Sequence, residues 1–326
     1  MSRMTDQDMP LLQVSGLTVK LRGAQHAAPI VDNFNLILSR GESLGLAGES
    51  GSGKSTAALG LMRLLSPGLE LAGGSVRIRG EEVLDLDERA FDQVRWRRVA
   101  FVFQGAMNAL NPVITVGDQI VEAVRRDSTV NPARARGRVL ELLESVGIDG
   151  SRASAFPHQF SGGMRQRAMI AMALAADPQI IIADEPTTAL DVVVQAEILD
   201  LLMRLQQERG LSTIMISHDL AALAVTCDRV AIMYAGRIIE IGAVEEVLGQ
   251  PRHPYTKALV MAVPRTDRDF RRIEPIPGAP PRPDEPRSGC AFSPRCPFAR
   301  DICRIGQPDL RKFGAASVAC HLVEEL

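Results

Sequence analysis

No apolar run in the sequence is long enough to cross a membrane. The run around Ala168–Ala176 stops at Asp177, well short of the roughly 20 residues that span a bilayer. The N-terminal segment, MSRMTDQDMP, also lacks the apolar core of a signal peptide. We therefore expect a cytosolic chain that takes part in any membrane function through a partner.

An excess of basic charge is absent as well. Lys and Arg total 37 and Asp and Glu total 39, which gives a formal net charge of -2. A large nucleic-acid-binding surface needs a clear basic excess, so we expect no nucleic-acid partner. The 326 residues, of which 46% are hydrophobic, suffice for one large domain with an appendage or for two small domains.

Cysteine is scarce, and most of it lies near the C-terminus. Cys227 stands alone and is expected to be a small buried apolar residue, whereas the other four cysteines fall in the last 40 residues with the spacing C-x5-C-x6-C-x16-C. In a reducing cytosol such a group suggests metal binding more than disulfides. The C-x2-C pairs of zinc ribbons are missing and four thiolates suit an iron–sulfur cluster, with zinc or unligated structural thiols as alternatives. The four are Cys290, Cys296, Cys303 and Cys320.

Short apolar segments alternate with helical patterns, which predicts an α/β fold with a largely parallel, buried sheet. The expected strands are Leu11–Leu21, Phe34–Ser39, Ser43–Ala47, Val99–Phe103, Ile180–Ala183, Thr213–Ile216 and Val230–Tyr234. The expected helices are Lys54–Leu65, Pro132–Val146, Gly163–Ala176 and Val192–Glu208. A composition shift near Pro251 puts a domain boundary at residues 245–250, and the proline-rich stretch Ile273–Arg287 predicts a stiff, extended arm.

A glycine-rich segment between a predicted strand and a predicted helix fits the pattern G-x-x-x-x-G-K-[ST]. Its backbone N–H groups and the helix N-terminus favour phosphate oxygens. Lys54 is placed to reach the β- and γ-phosphates of ATP, and Ser55 is placed to ligate Mg²⁺. An ordinary Gly/Ser turn would not explain the Lys-Ser-Thr ending in this context. The segment consists of Gly48, Glu49, Ser50, Gly51, Ser52, Gly53, Lys54, Ser55 and Thr56.

Two carboxylates follow the apolar segment Ile180–Ala183 directly. Open α/β sheets bind their ligands at the carboxyl ends of strands, which is where Asp184 and Glu185 would lie. A solvated turn is the ordinary interpretation of such a pair. In a chain that also carries a phosphate loop, we expect Asp184 to hold Mg²⁺ and Glu185 to polarise the attacking water.

Further motifs resemble those of the ABC ATPases over residues 11–242. The segment Phe160–Arg167 looks like the ABC signature, and the glutamine, D-loop and histidine motifs are matched by Gln104, Asp191 and His218. The resemblance implies that Gln104 senses Mg²⁺ and the attacking water and that His218 contacts the γ-phosphate. It also implies that the signature loop reaches the ATP held by a second subunit. The signature residues concerned are Ser161, Gly162, Gly163 and Met164.

One position departs from the family pattern. The first strand of the family usually ends in an aromatic residue that stacks on adenine, and the matching position here is Leu21. An aliphatic adenine contact with weaker base discrimination is therefore expected.

The C-terminal part resembles the extension of oligopeptide, dipeptide and nickel importer ATPases over residues 250–322. The resemblance rests on the segment His253–Thr256, the proline-rich arm and the segment around Cys290 and Cys296. Some members of this branch bind a [4Fe–4S] cluster at matching cysteines, and Arg295 and Arg300 could offset its negative charge. Because the cysteines lie outside the ATP-site motifs, a structural or sensing role is expected, and Tyr255 is expected to be a packing residue.

The resemblance implies a P-loop NTPase, ABC ATPase core with an antiparallel β subdomain, a helical subdomain near residues 105–165 and a C-terminal extension. We place the nucleotide-binding domain at residues 1–248 and the extension at residues 249–326. The implied partners are a second, similar ATPase chain, two transmembrane permease subunits and an extracytoplasmic binding protein, and the implied location is the cytoplasmic face of the bacterial inner membrane. The substrate would be peptides, or else a nickel chelate, an opine or an oligosaccharide.

Two other classes of protein remain as alternatives. Soluble ABC ATPases of translation or DNA repair usually carry two linked cassettes or a long coiled-coil insertion, and neither is seen in this sequence. A redox or sensing protein in which a cluster is the main function would not need an intact set of ATPase motifs.

Overall fold

The structure of the protein is a computed structural model that describes residues 9–24, 27–105, 109–126, 129–263, 276–282 and 288–325. The strands are β1 (Leu12–Leu21), β2 (Val31–Leu38), β3 (Ser43–Ala47), β4 (Leu69–Ile78), β5 (Glu81–Glu82), β6 (Val99–Val102), β7 (Ile180–Asp184), β8 (Ser212–Ile216), β9 (Arg229–Tyr234), β10 (Arg237–Ala243), β11 (Arg311–Phe313) and β12 (Ala316–Val318). The helices are α1 (Lys54–Leu61), α2 (Glu88–Arg97), α3 (Val116–Arg125), α4 (Pro132–Ser145), α5 (Gly162–Ala173), α6 (Val192–Arg209), α7 (Leu220–Thr226), α8 (Val244–Gly249), α9 (Pro254–Met261) and α10 (Asp301–Ile305). The chain divides into two compact units, residues 1–85 with 216–326, and residues 86–215.

The first unit contains an antiparallel sheet in the order β2-β1-β4-β5. Apolar residues face inward along β1 at Leu12, Val14, Leu17 and Val19, all of which are buried. Between Val14 and Leu17 the alternation shifts register, because a bulge at Gly16 interrupts the pairing with β2. This sheet is the antiparallel β subdomain implied by the sequence.

The first unit also contributes strands in the order β11-β12-β10-β9-β3 to a second sheet. Every residue of β3 is buried, and β3 runs parallel to β9 with Leu44 beside Arg229 and Ala47 beside Ile232. On the other side of β9, strands β10, β12 and β11 pair antiparallel. The C-terminal residues 311–318 therefore extend the same sheet whose strand β3 leads into the phosphate loop.

The second unit places helices around the parallel pair β6 and β7, with β8 beside β7. Polar side chains cap its helices. Thr115 begins α3, Asn131 with Pro132 begins α4, and Asp191 begins α6, while Gly210 ends α6 in a left-handed conformation. Helices α3, α4 and α5 pack on one another through buried apolar residues. Helices α3 and α4 lie in the helical subdomain expected near residues 105–165.

The α/β fold with a P-loop ATPase core is confirmed, and the strand and helix predictions are right to within a few residues at most ends. The predicted helix Lys54–Leu65 ends four residues early because Arg63 adopts a positive φ of 52°. The sheet is less parallel than expected, since the sequence did not predict β4, β10, β11 and β12, which pair antiparallel. The proposed boundary between residues 248 and 249 stays a prediction.

Of the proline-rich arm, residues 276–282 are described and form no regular helix or strand, while residues 273–275 and 283–287 lie outside the described residues. Within the described part of the chain, no helix is long and apolar enough to cross a membrane.

Candidate nucleotide-binding site

The loop between β3 and α1 is shaped by glycines that no other residue could replace. Gly48 has a φ of 149° and Gly53 a φ of 99°. A Cβ at Gly48 would overlap the carbonyl oxygen of Met233, and a Cβ at Gly53 would come 2.8 Å from the carbonyl oxygen of Ile30. Gly53 caps α1 without a side-chain hydrogen bond, and the N-terminus of a helix favours an anion.

Lys54 is folded back into this loop. Its side chain is buried, and its Nζ donates to the carbonyl oxygens of Gly48 at 2.8 Å and Glu49 at 3.0 Å and to Ser52 Oγ at 3.3 Å. The loop acceptors thus hold the ammonium group where phosphate oxygens would meet it. Ser55 and Thr56, which follow at the start of α1, are half-buried.

In the second unit, Gln104 and Glu185 lie together at the ends of neighbouring strands. The parallel register of β6 and β7, with Val102 beside Ala183, brings both strand ends to one edge. There Gln104 Nε2 donates to Glu185 Oε2 at 2.9 Å. Asp184, the last residue of β7, is 5% exposed.

Glu185 itself is held in an unusual conformation. Its φ is 45°, a left-handed value that is rare for residues other than glycine. Thr188 Oγ1 donates to Glu185 Oε2 at 2.8 Å, the same oxygen that Gln104 contacts. Two donors on one oxygen fix the direction of the carboxylate. Sequence reasoning missed Thr188, although it lies only three residues beyond Glu185.

The signature segment begins α5 and packs closely on α6. Ser161 caps α5, its Oγ accepting from the N–H of Met164 at 3.2 Å, and Gly162 is half-buried beside it. At Gly163 any Cβ would collide with the side chain of Val194 in α6. Gly163 therefore allows the two helices to approach closely, in addition to any part it has in ligand binding.

Three further residues predicted for the site, Asp191, Leu21 and His218, lie at the ends of helices or strands. The Oδ1 of Asp191 accepts from the N–H of Val194 at 3.0 Å and caps α6. His218 is exposed just after β8, whereas Leu21 is half-buried at the end of β1, paired with Leu69. The first unit thus holds the phosphate loop with Leu21 and His218, and the second holds Gln104, the carboxylates, the signature and Asp191.

The C-terminal extension contacts the phosphate loop directly, which the sequence did not predict. Tyr255 is fully buried, and its hydroxyl accepts from the N–H of Glu49 at 2.9 Å. The guanidinium of Arg295 binds both carboxylate oxygens of Glu49, at 2.8 and 3.0 Å. Tyr255 packs in the core as expected, and its hydroxyl adds a contact with the phosphate loop that was not predicted.

The proposed role of the extension arginines at a cluster also needs correction. Arg295 faces Glu49, and Arg300 forms an exposed ion pair with Glu325. The sequence held one signal for the first contact. A carboxylate in a loop that binds anions is expected to have a cation nearby that neutralises it. Lys54 is not that cation, because its Nζ donates to the loop carbonyl oxygens.

The four C-terminal cysteines line one cavity, together with His253 and Phe292. Burial, together with the neighbouring thiols, raises the pKa of the Cys290 thiol to about 11. His253 is buried and its pKa is lowered to about 3 by desolvation, so its ring is neutral, and Nδ1 accepts from the N–H of Tyr255. Cys227, expected to be buried, is half-buried, and burial raises its pKa to about 11 as well.

The chemistry available to these residues is that of a nucleotide-hydrolysing P-loop protein. Residues 31–188 match the family described as ABC transporter, and residues 239–303 match that described as oligopeptide/dipeptide transporter, C-terminal region. A protein of Brucella abortus (strain 2308) named as a peptide import ATP-binding protein is 45% identical over 313 residues, covering 95% of this chain and 94% of that one. The dipeptide transport ATP-binding protein DppD of Haemophilus influenzae is 41% identical over 315 residues, 96% of each chain.

Solved structures share the fold. The ATP-binding cassette MJ0796, in a dimeric post-hydrolysis state bound to ADP and Pi, has a TM-score of 0.64 at 29% identity, covering 72% of this chain and 98% of that one. The protein cbiO1 from Clostridium perfringens, part of the complex cbiONQ, has a TM-score of 0.65 at 26% identity, covering 74% of this chain and 91% of that one. The chain therefore belongs to the ATP-binding subunits of ABC transporters, in the branch with the oligopeptide/dipeptide C-terminal region.

Proposed function

We propose that this chain hydrolyses ATP to energise the import of peptides, or of a related small solute, through an ABC transporter. The observation that carries the proposal is the carboxylate of Glu185, directed by Gln104 and Thr188 at the edge where the sheet strands end. The oligopeptide/dipeptide C-terminal region and relatives named for peptide import over nearly the whole chain support the transport role.

The site residues carry groups of the kinds that bind ATP phosphates and Mg²⁺. Bound Mg²⁺–ATP would supply the transferable phosphoryl group and a cation that offsets its charge. Lys54 and the amides of the loop would bind the β- and γ-phosphates. The Ser55 hydroxyl and the Asp184 carboxylate are oxygen ligands of the kind that Mg²⁺ prefers.

The remaining site residues have proposed roles in catalysis and in nucleotide contact. Glu185 would orient the attacking water and accept hydrogen bonds from it, with Gln104 fixing the carboxylate and sensing the metal. His218 would contact the γ-phosphate, and Leu21 would pack on adenine. The signature residues Ser161 to Met164 and the D-loop residue Asp191 would act on the nucleotide of a second subunit.

The partners follow from the composite site. A second, homologous ATPase chain would complete each site, a view supported by the dimeric post-hydrolysis structure of MJ0796. Two permease subunits and, indirectly, an extracytoplasmic binding protein would complete the importer, and the chain would sit peripherally on the cytoplasmic face of the inner membrane. Nickel chelates, opines and oligosaccharides remain alternative substrates, and the transporter C-terminal match disfavours a soluble ABC ATPase.

Assembly offers a direct test of this function. The purified chain alone should hydrolyse ATP slowly, because each site requires a signature loop from another subunit. Adding the cognate second ATPase and the permease subunits should raise turnover several-fold, measured as phosphate release. Full activity at dilutions where the chain is monomeric, unchanged by the partners, would contradict the composite site.

We also propose that the C-terminal cysteines hold a [4Fe–4S] cluster. The support is that all four of them line one cavity, next to a neutral His253. As placed, the described residues contain no group of three or more His, Cys, Asp or Glu side chains that could hold a single metal ion. This disfavours zinc more than a cluster, because a cluster binds each thiolate at a different iron and so tolerates sulfurs that stand further apart.

Metal analysis tests the cluster. Anaerobically purified protein should carry about four irons and four sulfides per chain, and Cys296→Ser should lose most of them while Cys227→Ser retains them as the matched control. Stoichiometric zinc would favour the alternative metal, and an iron-free anaerobic preparation would refute the cluster. Since Arg295 adjoins Cys296 and contacts Glu49, the substitution is expected to affect the ATP site as well.

A further inference from the structure

The side chain of Arg295 is almost completely buried, and all of its N–H groups donate hydrogen bonds. Its guanidinium donates to both oxygens of Glu49, to the hydroxyl of Tyr234 at 3.2 Å, and to the carbonyl oxygens of Ile276 at 3.3 Å and Pro277 at 2.8 Å. The side chain is only 5% exposed. A guanidinium has five N–H donors in a fixed fork, and all of them have partners here.

An aromatic cluster sets the position of this arginine. The rings of Tyr234, Tyr255 and Phe292 lie 4.7 to 5.4 Å apart, and the guanidinium lies over two of them, 5.8 Å from Tyr234 and 5.9 Å from Phe292. These rings are buried, so the Glu49–Arg295 pair is shielded from water on that side. Charge-assisted, bidentate pairs in such surroundings are among the stronger polar contacts in proteins.

The backbone of Glu49 is fixed by contacts with the segment that follows β10. The buried Glu240 accepts from the N–H groups of Arg252, at 2.7 Å, and His253, at 3.0 Å. The His253 ring in turn accepts from the N–H of Tyr255, whose hydroxyl accepts from the N–H of Glu49. Both the backbone and the side chain of this loop residue are therefore held by the C-terminal extension.

We infer that Arg295 is a positioning residue for nucleotide binding, which holds Glu49 away from the phosphates and fixes the phosphate loop. This inference deepens the proposed function and rests on ATP binding in that loop. An unneutralised carboxylate there would repel the triphosphate and compete with it for the loop N–H groups. Lys54 does not take this role, because its Nζ contacts the carbonyl oxygens of Gly48 and Glu49 and not the carboxylate.

The same contacts connect the cysteine cavity with the ATP site. Arg295 ends the one-turn helix Ser293–Arg295, and Cys296 follows it immediately. Cys290 donates its N–H to the carbonyl oxygen of Cys303 at 2.7 Å. A change in the cysteines that moves this turn would therefore move the guanidinium relative to Glu49, so that ATP affinity responds to the state of the cavity.

A double-mutant cycle tests the inference on the full chain. ATP affinity is measured with Mg²⁺ and a fluorescent ATP analogue for Glu49→Gln, Arg295→Met and the double variant. We expect Arg295→Met to weaken binding about tenfold, a factor that corresponds to ~1.4 kcal/mol. Glu49→Gln should weaken it less, since it also removes the repelling charge. The double variant should bind better than Arg295→Met alone, because the unpaired carboxylate is then gone.

Arg300→Met is the matched control, since Arg300 pairs with Glu325 in the same extension without contacting the loop. It should leave ATP affinity unchanged, and Arg295→Lys, which keeps the charge without the fork, should fall between the wild type and Arg295→Met. Amide hydrogen exchange of residues 48–53 without nucleotide should speed up in Arg295→Met and not in Arg300→Met. This readout tests the positioning role even if the wild type failed to bind ATP, a result that would instead contradict the proposed function.

Two results would overturn the inference. One is a lower melting temperature in Arg295→Met with unchanged ATP affinity and unchanged exchange in the loop, which would make Arg295 a structural support only. The other is a set of additive effects of Glu49→Gln and Arg295→Met on affinity, which would show that the two side chains act independently.

Discussion

Glu185→Gln is expected to lower the rate of ATP hydrolysis by about 10²- to 10⁴-fold, the range that a positioned general base contributes, while ATP binding stays close to that of the wild type. The amide cannot take up a proton from the attacking water as the carboxylate can. Its size is almost the same, and the hydrogen bonds of Lys54 within the phosphate loop run to Gly48, Glu49 and Ser52. Subunits that have bound ATP should therefore remain associated.

The surroundings of Glu185 explain why the substitution would be well tolerated structurally. Gln104 and Thr188 both donate to Oε2, and the carbonyl oxygen of a glutamine can accept from both in the same place. The strained backbone, with its φ of 45°, is the same for either residue. The substitution therefore removes the negative charge of the group that would face the water and leaves its surroundings unchanged.

Phosphate release and ATP-dependent association, followed by size-exclusion chromatography with light scattering, are the measurements. Glu197→Gln is the matched control, because it makes the same change on α6, where Glu197 pairs with Arg167; its turnover should equal that of the wild type. Normal turnover in Glu185→Gln would remove Glu185 from its role as the base, and Gln104 would lose its proposed function with it.

The parts of the fold and site that could be predicted depend on short segments of sequence. Ser43–Ala47 is wholly apolar and leads into a glycine loop, so strand, loop and helix follow from local pattern. Ile180–Ala183 behaves similarly, since a buried parallel strand must present its last residues at the sheet edge. The Gln104–Glu185 contact was not itself predicted, although both residues were expected to act on the attacking water; the parallel register of β6 and β7 accounts for it.

The parts that could not be predicted depend on contacts between distant segments. Arg295 and Glu49 are 246 positions apart, and a carboxylate in an anion-binding loop signals a nearby cation without indicating which one. Strands β11 and β12 have only three residues each and owe their existence to pairing with β10 and with each other. Strand β4 contains Gly73 and Gly74, and glycine disfavours strand structure locally. The strand forms nevertheless because it pairs with β1.

Lys54→Ala is expected to weaken ATP binding by about 100-fold, or ~2.7 kcal/mol, because it removes the cation nearest the expected phosphate position. Hydrogen bonds to charged groups contribute about 1.5–3 kcal/mol each, so the loss of one ammonium–phosphate contact accounts for the whole effect. The loop should keep its shape, since Gly48 and Gly53 fix its turns through their backbone conformations. Lys54→Ala thus differs from Glu185→Gln, which should block turnover after normal binding.

Titration with the fluorescent ATP analogue measures the affinity, and thermal unfolding without nucleotide shows whether the loop tolerates the change. Lys312→Met, which removes an exposed lysine on β11 of the same unit, controls for net charge and should bind ATP as the wild type does. Lys54→Met keeps most of the side-chain volume without the charge, so an affinity as low as that of Lys54→Ala would assign the loss to the ammonium group. If both Lys54 variants bound ATP normally, the lysine would serve only to hold Gly48, Glu49 and Ser52 together, and the loop amides alone would have to account for phosphate binding.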